Sequence, residues 1–137
     1  MGALMIRRED WPEALHALVE LRAGMPFAWG YHDCCAFAAD AVKAMTGIDP
    51  MDDLRGYHSR ETAEAILAEQ GGLEAAVTAK LGDPVGTAQA RRGDVVLVDV
   101  ANVSVLGICL GDFAAAPGHC GLVWYDRAFW RAAWRVG

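Results

Sequence analysis

A cysteine at the start of an apolar helix is the strongest chemical signal in the sequence. Residues 29–37 read Trp-Gly-Tyr-His-Asp-Cys-Cys-Ala-Phe, and the apolar run from Cys34 to Met45 predicts a buried helix that Gly47 ends. A thiol in the first turn of a helix lies at the positive end of the helix dipole, which lowers its pKa and favours the thiolate. Cys34 is therefore the candidate nucleophile, and a small buried hydrophobic side chain is the alternative interpretation.

Two histidines are candidates for the base that a cysteine nucleophile needs. His32 lies two residues before Cys34, and His119 lies in a predicted turn between two strands. A capping or surface role is the alternative for His32, and an idle solvated side chain is the alternative for His119. His16 and His58 are predicted to be structural.

Metal and cofactor chemistry have less support in the sequence. A ligand set would combine His32, Cys34 and Cys35 with His119 or Cys120, but no Cys-x-x-Cys pair is present, and zinc sites usually show such spacings. Neither a Gly-Lys-Ser/Thr phosphate loop nor a Gly-x-Ser-x-Gly nucleophile motif occurs. We therefore expect no metal and no cofactor.

The composition limits the classes of partner. The chain has 137 residues, 54% apolar and 22% charged, which suits one domain with a sizeable core. Its net charge of −6 argues against nucleic acid and anionic membranes as partners. No apolar stretch is long enough for a membrane span, and Met1–Asp10 does not resemble a secretory signal. We therefore expect four reduced cysteines in a protein made in the cytoplasm.

The chain changes character near its middle, from a helical half (about 10–82) to a strand half (about 94–136). Asp10 with Glu13 resembles a capping box at the start of the first helix, and Ser59 is the predicted cap of the third. Helices followed by strands predict a single α+β domain, with the helices packed on an antiparallel sheet. The predicted helices are 10–23, 34–45, 60–70 and 73–81, and the predicted strands are 94–100, 103–110, 113–116, 121–125 and 134–136.

The C-terminal end is rich in aromatic residues. Trp and Tyr dominate the energetics of protein interfaces, so this end is a candidate surface for a protein partner. Packing in the core and along the sheet edge is the alternative. The candidate partner-binding residues are Trp124, Tyr125, Trp130 and Trp134.

Three segments, in this order, resemble the NlpC-like cell-wall peptidases. They are Trp-Gly-x-x-Asp-Cys at a helix start, Arg-Arg-Gly-Asp-Val-Val before a strand, and Ser-x-x-Gly-Ile-x-Leu-Gly in the next strand. The resemblance covers about residues 24–125 and implies a papain-like fold in which Cys34 attacks peptide bonds of peptidoglycan. The chain is more similar still to small proteins encoded in the tail modules of phages, prophages and gene-transfer particles, which share Trp-Gly-x-His-Asp-Cys-Cys and a C-terminal Ala-Trp-Arg-Val.

The chain departs from the peptidases at two positions. Val105 stands where the resemblance implies the catalytic histidine, and the region of the residue that orients it, 114–117, is Ala-Ala-Ala-Pro. Valine cannot accept a proton. The resemblance thus implies a tail-tip component made in a bacterial cytoplasm and built into the particle, with other tail proteins and peptidoglycan as partners. An active cysteine peptidase or amidase, and an assembly factor absent from the mature particle, are the alternatives.

Overall fold

The computed structural model describes residues 5–137, with helices in the first half and strands in the second. This is the predicted α+β class, in which the helices precede an antiparallel sheet. The helices are α1 (Trp11–Arg22), α2 (Cys34–Thr46), α3 (Arg60–Glu69) and α4 (Leu73–Leu81). The strands are β1 (Val95–Val100), β2 (Val103–Cys109), β3 (Phe113–Gly118), β4 (Gly121–Asp126) and β5 (Trp130–Trp134).

Within residues 5–137 the strands form one antiparallel sheet in the order β4-β3-β2-β1-β5. The first four strands follow one another as a meander, and β5 returns to pair with β1 at the opposite edge. The last strand was predicted over 134–136, but it runs over Trp130–Trp134. The amide of Val136 donates to the Asp94 carboxylate at 3.1 Å, so the chain leaves the sheet after Trp134.

Capping explains where α2 begins and ends. The Asp33 side chain accepts a hydrogen bond from the amide of Ala36, and Gly47 ends the helix with a φ of 82°, a conformation that favours glycine. The expected capping box of α1 is wrong. Asp10 makes no capping bond because its carboxylate pairs with Arg8 at 3.1 Å.

The sheet buries apolar side chains on both faces. One face packs on α2, with Phe37 and Met45 against Leu106 and Ile108. The other face holds a second cluster. The residues of that cluster are Ala90, Val96, Val98, Cys109, Ala114, Trp130 and Ala133, with Val105 and Tyr125 partly buried against them.

Each edge strand of the sheet makes a backbone hydrogen bond to a segment outside the sheet. At the β4 edge the amide of Leu122 donates to the carbonyl of Ala23 at 2.9 Å, just after α1. At the β5 edge the amide of Val85 donates to the carbonyl of Ala133 at 2.8 Å. No helix in residues 5–137 has the length and apolar character needed to cross a bilayer.

Candidate functional site

Cys34 is the first residue of α2, and its side chain is half-buried between that helix and β2. The backbone N–H of Leu106 in β2 lies within hydrogen-bonding reach of the Cys34 sulfur, as does the N–H of Cys35. The sulfur therefore lies beside β2, the strand that carries the Ser-x-x-Gly-Ile-x-Leu-Gly segment, at the residue next in sequence to Val105.

A gap in the sheet leaves the Leu106 amide free for this contact. Backbone groups along an antiparallel strand point alternately to its two neighbours. The amide of Leu110 donates to Phe113 on the β3 side at 2.8 Å, so the amide of Leu106, four residues earlier, points to the same side. The pairing between β2 and β3 extends only as far as Ile108 opposite Ala115. Beyond that point the helix start takes the place of the neighbouring strand.

Asp33 fixes the turn that delivers Cys34. Its carboxylate is buried and accepts three hydrogen bonds, from the amides of Gly30 at 2.7 Å and Ala36 at 2.8 Å, and from the Tyr57 hydroxyl at 2.8 Å. The first two close the turn before α2, and the third ties that turn to the segment before α3. The start of α2 is therefore held from two sides.

The thiols of Cys34 and Cys35 share their electrostatics. The Cys35 thiol, as a hydrogen-bond donor, lowers the pKa of Cys34; burial opposes this, the Leu106 amide assists it, and the Asp33 carboxylate opposes it. The pKa of Cys35 is raised well above its usual range, because its S–H donates a hydrogen bond to the Cys34 sulfur and its side chain is buried. Cys34 is the thiol that ionises first.

His32 is fully buried and engaged elsewhere. Its Nδ1 lies 3.0 Å from the Arg22 guanidinium, which has only donors, so Nδ1 accepts and the ring proton is on Nε2. Nε2 has no hydrogen-bond partner within residues 5–137, and the ring packs edge-on against Phe37. Burial and then the positive charge of Arg22 lower the pKa of His32. The atom best able to accept a proton therefore faces a cation.

Arg22 belongs to a chain of ion pairs that links α1, α2 and the loop after α2. Its guanidinium contacts Asp40 at 2.5 Å, and Asp40 also pairs with Arg55 at 2.7 Å. Arg55 in turn pairs with Asp49 at 2.8 Å. Arg22 in this network orients His32. None of its members stood out in the sequence, because the partners are 6 to 18 residues apart and most of them lie on different elements.

His119 and Val105 lie in different surroundings from Cys34. His119 is exposed on the turn between β3 and β4. The Val105 side chain packs on the sheet face opposite α2. Within residues 5–137, the buried His32 makes no hydrogen bond to the Cys34 sulfur, because its Nδ1 contacts Arg22 and its Nε2 has no partner. The catalytic roles predicted for Cys34, His32 and His119 stay predictions.

The four aromatic residues of the predicted partner surface lie in two environments. Trp134 is 0% exposed, and its indole N–H donates to Thr78 at 3.1 Å; Trp130 is 7% exposed and stacks under Arg127 at 4.3 Å. These two residues pack in the core, the alternative considered for them, because β5 lies against β1. Trp124 is 49% exposed and Tyr125 is half-buried, so these two line the surface.

Metal ligands do not gather at this site or elsewhere in the described chain. Residues 5–137 contain no group of three or more His, Cys, Asp or Glu side chains placed to hold a metal ion. Cys120 is exposed near His119, and Cys109 is buried on the far face of the sheet. The thiols thus form one adjacent pair and two separate residues.

One family model matches almost the whole chain, over residues 6–136, and it is described as a domain of unknown function (DUF6950). The chain belongs to this family. A comparison with curated proteins gives no match.

Proposed function

We propose that this chain is a component of a phage-type tail, built on an NlpC-like, papain-type fold that has lost its catalytic base and serves as a structural and interaction protein. One observation carries the proposal: the Cys34 thiol at the start of α2 adjoins a second thiol and two backbone amides, and the one buried histidine of residues 5–137, His32, makes its hydrogen bond to Arg22 and none to Cys34. The tail itself is inferred from the resemblance of residues 29–35 and 133–136 to proteins of tail modules.

The missing base matters because a cysteine hydrolase needs two proton transfers. A base must take up the thiol proton, and an acid must then protonate the leaving amine. Asp33 accepts three hydrogen bonds already, and Tyr57 donates to Asp33. The pKa of Tyr57 is raised far above its usual range by burial and by that hydrogen bond, so it does not supply a base.

A working cysteine peptidase or amidase is the second candidate function, because the pKa of Cys34 is lowered and two amides adjoin its sulfur. Amides at a helix start are the groups that stabilise an oxyanion. Incubating purified peptidoglycan with the full chain and with Cys34→Ala separates the two functions. We expect no release of peptides by either. Release by the unsubstituted chain alone would establish the hydrolase and end the structural proposal.

The substitution Val105→His tests separately whether residue 105, where the resemblance implies the base, can present a histidine to Cys34. The side chain at 105 faces away from α2, so we expect no gain of hydrolysis from a histidine there. A gain would show that Val105 does occupy the position of the base and that β2 can present it to Cys34.

The tail assignment is tested by mass spectrometry of purified particles from the bacterium that encodes the chain. We expect the protein at a fixed number of copies per particle. Its presence in the lysate but not in particles would instead identify an assembly factor. For the contact itself, Trp124→Ala is expected to reduce incorporation, whereas Leu21→Ala, at an exposed apolar residue of α1, is the control.

A further inference from the structure

Helix α3 lies over the molecule without burying any of its own residues. Its apolar side chains Ala63, Ile66 and Leu67 point inward and are only partly buried. Glycines with positive φ flank the helix, Gly56 before it at 109° and Gly71-Gly72 after it at 89° and 108°. A helix with an apolar face and so little burial is covering something other than a filled core.

Beneath α3 is an apolar cavity of about 90 Å³. It is bounded by α2, α4 and the segment 50–57, and its floor is Val95 and Leu106 of the sheet. Protein interiors are usually packed with few voids larger than a water molecule. A cavity of this size under a weakly buried helix therefore needs a physical explanation.

Every polar side chain on the wall of the cavity already has a partner. The Cys35 thiol donates a hydrogen bond to the Cys34 sulfur, and the Tyr57 hydroxyl donates to Asp33. The ammonium group of Lys80 contacts both oxygens of Asp53, at 2.6 and 2.8 Å. The hydroxyl proton of Tyr57 and the charge of Lys80 are therefore already engaged, and the rest of the wall is apolar.

We propose that this cavity is a binding site for the neutral aromatic ring of a small apolar molecule, with α3 as its lid. Apolar cavities with no polar partner for water stay dry and take up apolar molecules, and one of about 150 Å³ accepts benzene. The present cavity is smaller, so α3 has to move outward to admit even one ring. Movement about Gly56 and Gly71-Gly72 would admit it. This inference stands independently of the proposed tail function.

Benzene is the probe, added to the full chain and followed by methyl NMR and by the thermal unfolding midpoint. We expect saturable shifts confined to the methyl groups of Ala63, Ile66 and Val77, with a rise in the midpoint. Pyridine has the same shape but an acceptor that would stay unpaired, so we expect about tenfold weaker binding. Shifts scattered over the surface, no saturation, or equal affinity for pyridine would overturn the site.

Two leucine substitutions on α3 form a matched pair. Ala63→Leu fills the cavity and is expected to abolish benzene binding, whereas Ala65→Leu, on the exposed side of the same helix, is expected to retain it. Unchanged binding by Ala63→Leu would contradict the site. If Ala63→Leu does not fold, the map of methyl shifts in the unsubstituted chain still decides the question.

Discussion

The thiols of Cys34 and Cys35 are joined by a hydrogen bond, and Cys34 loses its proton more easily than Cys35. The Cys35 thiol donates, so the charge settles on Cys34, which also faces the amides of Leu106 and Cys35. A reactive thiol in an enzyme has the same electrostatic features, but usually with an imidazolium close by. Here a neighbouring thiol takes that place, so the lowered pKa of Cys34 depends on Cys35.

Cys35→Ala is expected to raise the pKa of Cys34, because it removes the largest stabilising contact of the thiolate. The measurement is the pH dependence of iodoacetamide alkylation at Cys34, with peptide mapping by mass spectrometry. The profile should move to higher pH in Cys35→Ala and stay in place in Cys120→Ala, which changes an exposed thiol. An unmoved profile in Cys35→Ala would show that the helix start alone controls Cys34.

His32 makes the stability of the protein depend on pH. Burial and Arg22 hold its pKa below the usual value of 6.5. Below that pH the unfolded chain binds a proton at His32, and the folded chain does not. The contribution of neutral His32 to the free energy of unfolding is therefore complete above about pH 6.5. The free energy of unfolding decreases as the pH falls toward the lowered pKa of the folded state.

Urea unfolding at pH 7.5 and 5.5 checks this sign. We expect a loss of unfolding free energy on acidification in the unsubstituted chain, and a smaller loss in His32→Asn, which keeps an acceptor for Arg22 but does not titrate. His119→Asn, at an exposed histidine, should lose as much as the unsubstituted chain. Equal losses in all three proteins would mean that His32 is protonated with little cost.

The sequence was sufficient to locate Cys34 but not the surroundings of His32. An acidic residue before an apolar run marks a helix start, so the position of the thiol follows from Asp33. The burial of His32 depends on Arg22, ten residues earlier on another helix. Such pairs follow from how α1 packs on α2, which no local pattern specifies.

At the scale of elements, the start of α2 is the most heavily restrained point of the helical half. Asp33 caps the helix, closes the preceding turn and holds Tyr57. The cap of α3, Ser59, has a capping box with Thr62, but it lies at the periphery. Both caps accept a hydrogen bond from a helix amide through a side-chain oxygen, but they are expected to differ in their effect on stability.

Asp33→Ala is expected to lower the free energy of unfolding by at least about 2 kcal/mol, since it removes a cap and leaves buried donors without an acceptor. Ser59→Ala should cost about 1 kcal/mol. Chemical denaturation of both variants gives the comparison. A smaller loss of unfolding free energy for Asp33→Ala than for Ser59→Ala would contradict the conclusion that the start of α2 is strongly restrained.

Two glycines with similar backbone conformation form a second comparison. Gly30 and Gly47 have φ values of 78° and 82°, but a Cβ at Gly30 would lie 2.1 Å from the Tyr57 carbonyl oxygen, and at Gly47 it meets nothing within 4 Å. We expect Gly47→Ala to cost about 1–2 kcal/mol from the left-handed backbone alone. Gly30→Ala should cost clearly more, as measured by thermal unfolding; equal costs would mean that the turn moves freely.

The positions of most helices and strands could be predicted, because glycines and caps mark their ends. The face of the sheet on which each strand side chain lies could not be predicted. The parity of β2 decides that Val105 faces away from α2 and Leu106 faces toward it. That parity depends on the register with β1, where Val98 lies opposite Val105. Trp134 is buried for a similar reason, because β5 joins the sheet beside β1 rather than beside β4.

At the scale of the whole molecule, Asp94 joins the two ends of the chain. This carboxylate is fully buried at the entry to β1 and accepts hydrogen bonds from Arg7 at 2.9 Å and from the amides of Arg91 and Val136 at 2.9 and 3.1 Å. It thus holds the N-terminal segment, the sheet and the C-terminal segment together.

Asp94→Asn is expected to lower the free energy of unfolding by about 3–5 kcal/mol, because it leaves Arg7 without its counter-charge in a buried setting. Asp99→Asn, which breaks an exposed pair with Arg131, is the control and should cost no more than about 1 kcal/mol. Urea unfolding of the two variants measures the difference. A cost below 1 kcal/mol for Asp94→Asn would show that the two ends are held by other contacts.

Two backbone groups from outside the sheet bond to its two margins, the carbonyl of Ala23 at one and the amide of Val85 at the other. Such contacts limit the addition of strands from other copies of the chain. Open margins invite another chain to add a strand, and repeated addition gives fibres. The hydrogen bonds at Leu122 in β4 and at Ala133 in β5 close these two positions to strand addition by another chain.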